Sequence, residues 1–208
     1  MADDIQPSIS VRKLPPNAVG AAARLLTRAF AADPVLTYFM NGTWRRAVAL
    51  PAFFRAVLLE NLPHDAVYGA WSTDRLIGVS AWTPPDAPTV PTRTRWRCAT
   101  NHTIVRTLFP LRSRGIYRGF SSLAALHPQS AHWYLLFVGI DPEHQGLGVG
   151  ALLLKPVLQR ADREGRLCYL ETPFPRTHAF YQRLGFELGP AIHPFPGAPP
   201  VWTMLRKP

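Results

Sequence analysis

Acidic residues are scarce in this sequence. Its 208 positions hold 13 aspartates and glutamates against 23 lysines and arginines, which gives a formal net charge of +10. No acidic residue lies between Ala87 and Ile140, whereas seven arginines do: Arg93, Arg95, Arg97, Arg106, Arg112, Arg114 and Arg118. Such a segment would suit nucleic acid, an acidic partner or the phosphates of a cofactor. Because no nucleic-acid-binding module accompanies it, a solvated basic surface is the favoured interpretation and nucleic acid is not the expected partner.

Cysteines and long apolar runs are also scarce. Cys98 and Cys168 are far apart, without a C-x-x-C or H-E-x-x-H pattern, so we expect buried thiols and no metal site. A run of 18 apolar residues and a signal peptide are both missing, so we expect a cytoplasmic protein that does not enter a membrane. The length and the 47% hydrophobic composition predict a single domain over residues 1–208, as a monomer or a homodimer.

The sequence does contain a glycine-rich stretch that follows a buried strand. Residues 133–140 are apolar on both faces, as in a central strand, and the run stops at Asp141 and Pro142. The glycines Gly146, Gly148 and Gly150 come next, followed by apolar residues at helical spacing: Leu153, Leu154, Val157, Leu158 and Ala161. Glycines let a ligand approach the backbone, and the unpaired N–H groups at a helix N-terminus attract anions. This order of elements predicts a diphosphate-binding loop.

Spacing separates the families that use such a loop. A dinucleotide site has the pattern G-x-G-x-x-G; alanine is sometimes accepted at the last position, where Ala151 stands here, but the strand lies about two-thirds of the way along the chain. A P-loop requires Gly-Lys-Ser/Thr, which the sequence lacks. What remains is Gln-x-x-Gly-x-Gly from Gln145 to Gly150, followed by Phe-Tyr-x-x-x-Gly-Phe from Phe180 to Phe186. Together the two motifs resemble the signatures of the Gcn5-related N-acetyltransferase (GNAT) family.

The resemblance implies an α/β fold with a mixed, mostly antiparallel sheet of about seven strands flanked by helices. The sheet would be splayed between the strands on either side of the glycine-loop helix. It also implies acetyl-CoA as co-substrate and direct transfer of its acetyl group to an amine. The cofactor contacts implied are Val138, Gly139, Ile140, Gln145, Gly146, Leu147, Gly148, Val149, Gly150, Ala151 and Thr177. Similar sequences often carry an asparagine just before Phe-Tyr, where this chain has Arg176, Thr177 and His178.

Gly139 interrupts the central strand, and a glycine inside a strand often marks a bulge. A bulge there would open a slot in which backbone groups of Val138 and Ile140 could bind the pantetheine amides. The alternative is a packing glycine opposite an aromatic ring.

Four side chains are candidates for the chemistry. Tyr181 could protonate the departing thiolate, because a phenol near pKa 10 gives a proton to a thiolate near 8.5 at a cost of only about 2 kcal/mol; otherwise it is a core tyrosine. Glu171 ends a predicted strand and is the candidate general base, unless it only caps an arginine or a backbone N–H. Asp33 could pair with a cationic substrate or simply end a helix before Pro34. His132 is a weaker candidate base.

The acceptor implied is a small amine, either an aminonucleoside antibiotic or an amino-acid-like metabolite. Three alternatives stay open: acetylation of a protein or peptide amine, an acyl-CoA sensor without catalysis and, least favoured, a basic nucleic-acid-binding protein.

Hydrophobic periodicity predicts the remaining elements. Pro156 should bend the glycine-loop helix or end its regular hydrogen bonding, and Gly165 should cap its end. The other predictions, in chain order, are a strand at 8–14, helices at 18–32, 35–40 and 44–62, a hairpin of strands at 67–71 and 76–82, two helices within 104–126, a strand at 166–171 and a helix at 177–184.

Overall fold

The computed structural model describes residues 8–86, 107–110, 123, 125–194 and 197–208. All seven arginines of the basic segment, Cys98 and most of the two helices predicted within 104–126 lie outside the described residues.

One seven-stranded sheet forms the centre of the described chain, with the strand order β1-β2-β3-β4-β5-β7-β6. All neighbouring strands are antiparallel except β4 and β5, which are parallel. The predicted mixed, mostly antiparallel sheet is therefore confirmed. The strands are β1 (Ile9–Lys13), β2 (Val67–Ser72), β3 (Arg75–Thr83), β4 (His132–Ile140), β5 (Leu167–Thr172), β6 (Glu187–Ile192) and β7 (Val201–Arg206).

Helices cover both faces of this sheet, and those predicted within the described ranges are present with shifts of a few residues. The first helix buries an apolar stripe of Val19, Ala22, Leu25 and Leu26. No helix in the described ranges is long and apolar enough to cross a membrane. The helices are α1 (Val19–Ala29), α2 (Pro34–Phe39), α3 (Thr43–Asn61), α4 (Val149–Glu164) and α5 (His178–Arg183).

Helix α4 continues through Pro156 to Glu164, so this proline interrupts the regular hydrogen bonding only locally and does not end the helix. Pro156 deprives only the carbonyl of Leu152 of its helical donor, and Leu152 lies on the outer side of α4, with 41% of its surface exposed. The helix ends as predicted, because Gly165 adopts φ 61° and its N–H bonds back to the last turn.

Strands β4 and β5 pair over only part of their length. His132, Trp133 and Tyr134 pair with Leu167, Cys168 and Tyr169, after which the strands diverge. From Leu135 to Ile140, β4 is without a partner on the β5 side, so its backbone groups there face an opening. This is the predicted splay of the sheet.

The predicted bulge at Gly139 is wrong. Gly139 pairs regularly with Val79, and the irregularity in β4 lies at Leu136, because Ala81 faces Phe137 and Trp82 faces Leu135. A Cβ on Gly139 would lie 2.7 Å from Leu26 Cδ2 and 3.1 Å from Ala29 Cβ. Gly139 therefore allows α1 to pack closely on β4, which is the packing role that was the alternative.

Candidate active site

The glycine loop joins β4 to α4, and Asp141 at its start is fixed by ion pairs. The carboxylate of this residue accepts a 2.8 Å bond from Arg28 Nη2 on α1 and lies 3.6 Å from Arg75 Nη2. Burial opposes the ionisation of Asp141, but the bonds from Arg28 and Glu143 N–H and the two arginine charges outweigh it, so its pKa is lowered. This ion-pair network ties the start of the loop to the core.

The loop backbone forms an open cradle at the N-terminus of α4. Gly146 and Gly148 adopt φ angles of 80° and 77°, and a Cβ on either would meet nothing within 4 Å. These glycines are therefore required by their conformation, and the space above them is open. No side chain caps α4 at Gly148, so the first N–H groups of the helix remain available to an anion.

A cavity of about 500 Å³ lies over this cradle, between α4 and α5. Leu147 does not line it; its side chain points outward and 64% of the residue is exposed. Gly139 does not line it either, but lines the neighbouring cavity. The other predicted cofactor contacts do line it: Val138, Ile140, Gln145, Gly146, Gly148, Val149, Gly150, Ala151 and Thr177.

A second cavity, of about 230 Å³, occupies the splay between β4 and β5. Its walls are the diverging parts of the two strands, 135–140 and 170–172. It shares five lining residues with the cradle cavity, so the two spaces adjoin: Val138, Ile140, Gln145, Thr177 and Tyr181.

Tyr181 lies at this junction, on α5. Its ring packs against Phe180 and Phe186, with centroids 5.0 and 5.8 Å away, and only 7% of the residue is exposed. Tyr181 makes no side-chain hydrogen bond to another described residue, and it lines both cavities. Burial raises the pKa of its phenol above the ordinary value, so the group stays protonated at neutral pH. The tyrosine is thus both part of the core and part of the cavity wall.

Glu171 is near the end of β5, on the far side of the splay from the cradle. Only 6% of its side chain is exposed. Its Oε2 accepts a 2.8 Å bond from the Tyr134 hydroxyl, whereas its Oε1 is buried with no hydrogen-bond partner in the described part of the chain. The His127 ring nitrogen Nε2 lies 3.5 Å from Oε1, which is too long for a good hydrogen bond, so a buried Oε1 can still accept from an N–H donor outside the chain.

Asp33 faces the same space from the N-terminus of α2. Its carboxylate accepts a 2.8 Å bond from Leu36 N–H and so caps the start of α2, whereas the alternative prediction was that Asp33 ends the preceding helix, which already ends at Ala29. Burial raises the pKa of Asp33 above the ordinary aspartate value, although two backbone N–H groups oppose the shift. Asp33 and Glu171 both line the splay cavity and a third cavity, of about 360 Å³.

His132 contacts Glu171 only through a second histidine. Its Nδ1 donates to Ser130 O at 2.7 Å, because a carbonyl oxygen can only accept. Burial lowers the pKa of His132, so its Nε2 is unprotonated at neutral pH and accepts from His127 Nδ1 at 3.2 Å. His127 Nε2 is then the atom that lies 3.5 Å from Glu171 Oε1. The two rings thus link the buried carboxylate to a partly exposed position.

Sequence reasoning missed His127 and Tyr134. A signal for Tyr134 existed, since His132 and Tyr134 lie on one face of β4, and Tyr169 and Glu171 on one face of β5. When two neighbouring strands are otherwise apolar, polar residues on the same face of each are expected to contact one another. His127 offered no such signal, because it lies in an irregular segment before β4.

Comparisons with known proteins agree with this architecture. The family model described as "Acetyltransferase (GNAT) family" matches residues 41–186. An uncharacterized N-acetyltransferase of Schizosaccharomyces pombe is 24% identical over 184 residues, or 83% of this chain and 72% of that protein. The crystal structure of histone acetyltransferase HPA2 and related acetyltransferase from Corynebacterium glutamicum has a TM-score of 0.74 at 23% identity, covering 97% of both chains. PaiA N-acetyltransferase from Thermoplasma acidophilum, in complex with coenzyme A, has a TM-score of 0.60 at 14% identity, covering 97% of this chain and 99% of that one.

Proposed function

Since the chain belongs to the acetyltransferase (GNAT) family, we propose that it transfers the acetyl group of acetyl-CoA directly to the amine of a small molecule. The observation that carries this proposal is the row of three adjoining cavities. Tyr181 lies where the cradle cavity meets the splay cavity. Asp33 and Glu171 lie where the splay cavity meets the third cavity. Such a row suits a long cofactor that enters over the cradle and an acceptor that enters from the opposite side.

The residues present fit coenzyme A. The uncapped N–H groups at the start of α4 suit its diphosphate, and the unpaired edge of β4 from Leu135 to Ile140 suits the amides of its pantetheine arm. Thr177 is a candidate contact in place of the missing asparagine, although its hydroxyl already donates to Phe174 O at 2.8 Å. The thioester would then lie beside Tyr181, where the first two cavities meet.

Glu171 is the proposed general base. Its Oε1, which makes no hydrogen bond to a described residue, would accept a proton from the incoming ammonium group, and this leaves the amine nitrogen with the lone pair that attacks the thioester carbon. His127 and His132 would carry that proton outward, because their rings connect Glu171 to a partly exposed position.

Tyr181 is the proposed general acid. As the new C–N bond forms and the C–S bond breaks, its phenol would donate a proton to the departing sulfur. Neither cysteine takes part in this scheme: burial raises the pKa of Cys168 to about 12, which disfavours the thiolate that could carry an acetyl group. Transfer is therefore proposed to be direct, within a ternary complex.

An acyl-CoA sensor would also bind the cofactor, but it would not require a buried carboxylate beside the splay with an oxygen free to accept a hydrogen bond. The Oε1 atom of Glu171, which makes no hydrogen bond to a described residue, favours catalysis over sensing. The basic segment 93–118 supports no nucleic-acid function on its own.

The test is a free-thiol assay with acetyl-CoA and a panel of amines. The panel includes puromycin, because an aminonucleoside antibiotic is one of the two acceptor classes that the family resemblance implies. We expect thiol release with at least one small amine. Tyr181→Phe should bind coenzyme A normally and slow turnover roughly ten- to a thousandfold, in keeping with general-acid catalysis. Glu171→Gln should also slow turnover without weakening cofactor binding.

Tyr68→Phe is the matched control, because Tyr68 is a partly buried tyrosine on β2 that packs against the same core without lining the three cavities. Its turnover should equal that of the unmodified protein. Equal rates for Tyr181→Phe and Tyr68→Phe would remove Tyr181 from the mechanism. Cofactor binding without thiol release from any amine would support the sensor instead.

A further inference from the structure

The third cavity differs in character from the other two. Ten of the described residues that line it are apolar: Phe30, Val35, Leu36, Phe53, Val57, Leu123, Leu136, Phe137, Pro173 and Val201. Phe30 and Phe53 stack edge-on against Phe137, with ring centroids 5.5 and 5.8 Å away. At about 360 Å³, the space is within the range of cavities that hold small organic ligands.

The polar lining is confined to one region. Asp33 and Glu171 lie at the junction with the splay cavity, and the other two polar residues, His127 and Tyr134, both contact Glu171. Neither lysine nor arginine lines the third cavity within the described ranges. The cavity therefore offers negative charge where the amine must react and only apolar surface elsewhere.

This distribution of carboxylates and apolar side chains should favour some classes of acceptor amine over others. An ammonium group at the junction would be attracted by the carboxylates and would donate to Glu171 Oε1. A carboxylate next to that ammonium would meet Asp33 and Glu171, and no described lysine or arginine lines the third cavity to pair with it. A second ammonium at the far end would lose its hydration among phenylalanine and valine side chains, and none of the described residues there carries a counter-charge.

We infer that the acceptor is a primary amine carried by an apolar, preferably aromatic body, with neither a carboxylate nor a second cation. This inference rests on the proposed function and narrows it. Of the two acceptor classes implied by the sequence, it disfavours free amino acids. Apolar burial should raise kcat/KM by about 10- to 100-fold over an amine that leaves the cavity empty.

The test uses two matched pairs of amines with saturating acetyl-CoA. Phenylalanine and 2-phenylethylamine differ only by a carboxylate, and 1,5-diaminopentane and pentylamine differ only by a second ammonium. We expect kcat/KM at least about 30-fold higher for 2-phenylethylamine and for pentylamine than for their charged counterparts.

A charged amine that reacts as well as its apolar counterpart would overturn the inference and leave the proposed function standing. Absence of thiol release with every amine, in protein shown to bind coenzyme A, would overturn the proposed function and this inference with it.

A substitution that adds a charge to the wall of the third cavity also tests the inferred preference for uncharged acceptor bodies. Val57→Asp adds a carboxylate on α3 to the apolar wall and should improve the diaminopentane-to-pentylamine ratio at least about tenfold. Val48→Asp is the control, because Val48 lies on the same helix outside the cavity and is 58% exposed. An unchanged ratio in folded Val57→Asp would contradict the inference. If thermal melting shows that this variant does not fold, the two amine pairs decide alone.

Discussion

At the scale of single residues, the candidate site is built from polar groups that the core keeps in fixed protonation states. Burial, followed by the negative charge of Glu171, raises the pKa of Tyr134 well above its ordinary value. The pKa of Tyr169 is raised by the same two influences. Both phenols therefore stay protonated at neutral pH, and Tyr134 acts as a donor to Glu171 Oε2. The carboxylate is thus held in place through Oε2, while Oε1 has the His127 ring 3.5 Å away and makes no hydrogen bond to a described residue.

Asp33 leads to a prediction about pH and stability. Burial raises its pKa in the folded state, so over the interval between the unfolded and folded pKa values the folded protein binds more protons than the unfolded chain. The free energy of unfolding therefore falls as pH rises through that interval. Asp33→Asn keeps a side-chain oxygen that can cap α2 but has no charge to desolvate. We expect it to be at least as stable as the unmodified protein at pH 7, with an advantage that disappears towards pH 3.

Urea denaturation between pH 3 and pH 7 measures this difference. Asp33→Ala is the control for the cap itself and should be about 1 kcal/mol less stable than Asp33→Asn across the range. A large loss of stability in Asp33→Asn at pH 7 would show that the ionised carboxylate makes a favourable contact, contrary to the prediction.

Residue-level reasoning from the sequence succeeded where the signal was local and failed where it depended on a neighbouring element. Gln145, Gly146 and Gly148 could be recognised because the conformation of a loop is encoded in its own residues. Gly139 was assigned to a bulge wrongly, because the reason for a glycine there lies in α1, more than a hundred positions earlier in the chain. Spacing along one strand does not reveal what packs against it.

At the scale of elements, α4 carries glycines at both ends for different reasons. Gly148 precedes the helix with φ 77° and borders the cradle cavity, whereas Gly165 follows it with φ 61° and ends the last turn. A substitution at either position places a Cβ in left-handed backbone, yet neither Cβ would meet another atom within 4 Å. Substitutions at Gly148 and Gly165 therefore cause the same backbone strain, but only the one at Gly148 can also affect ligand binding.

We predict that Gly148→Ala and Gly165→Ala each lose about 1–2 kcal/mol of stability, since both force alanine into the left-handed region. Only Gly148→Ala should weaken binding of coenzyme A, because only that loop is proposed to hold the diphosphate. Chemical denaturation and calorimetric titration measure the two effects. Equal loss of coenzyme A affinity in both variants would show that helix stability, and not the cradle, governs binding.

Element boundaries could be predicted where capping and turn residues stand beside apolar periodicity. The strand, glycine loop, helix and Gly165 cap followed from their own residues, and so did the hairpin of β2 and β3. Pro156 was given too much weight, because the helix can lose one hydrogen bond on its exposed side while its apolar stripe stays buried. The splay of β4 from β5 came from family resemblance, since sequence periodicity contains no information on how far two strands stay paired.

At the scale of the whole molecule, the sheet consists of two parts joined by few backbone pairs. Strands β1–β4 meet β5–β7 through three residue pairs, and side chains add further links across the joint. Trp133 Nε1 on β4 donates to Glu164 at the end of α4, and Arg206 on β7 holds Asp162 with bonds of 2.6 and 2.9 Å. The third cavity could not be predicted from the sequence, because its walls come from Phe30, which follows α1, and from α2, α3, β4, β5 and β7, which only the complete fold brings together.

A ligand that fills the splay should stabilise the molecule as a whole. At a concentration of coenzyme A about 100 times its Kd, linkage adds about 2.7 kcal/mol to the free energy of unfolding. For a chain of this size, that corresponds to a rise in Tm of roughly 5–10 °C.

Pantetheine and adenosine diphosphate, tested separately at the same concentration, are the controls. Because each fragment would occupy only one of the two adjoining cavities, each should bind far more weakly and shift Tm by a few degrees at most. Differential scanning fluorimetry compares the three ligands directly. If adenosine diphosphate alone raised Tm as much as coenzyme A, the pantetheine arm would contribute nothing to binding, and the splay between β4 and β5 would not be its site.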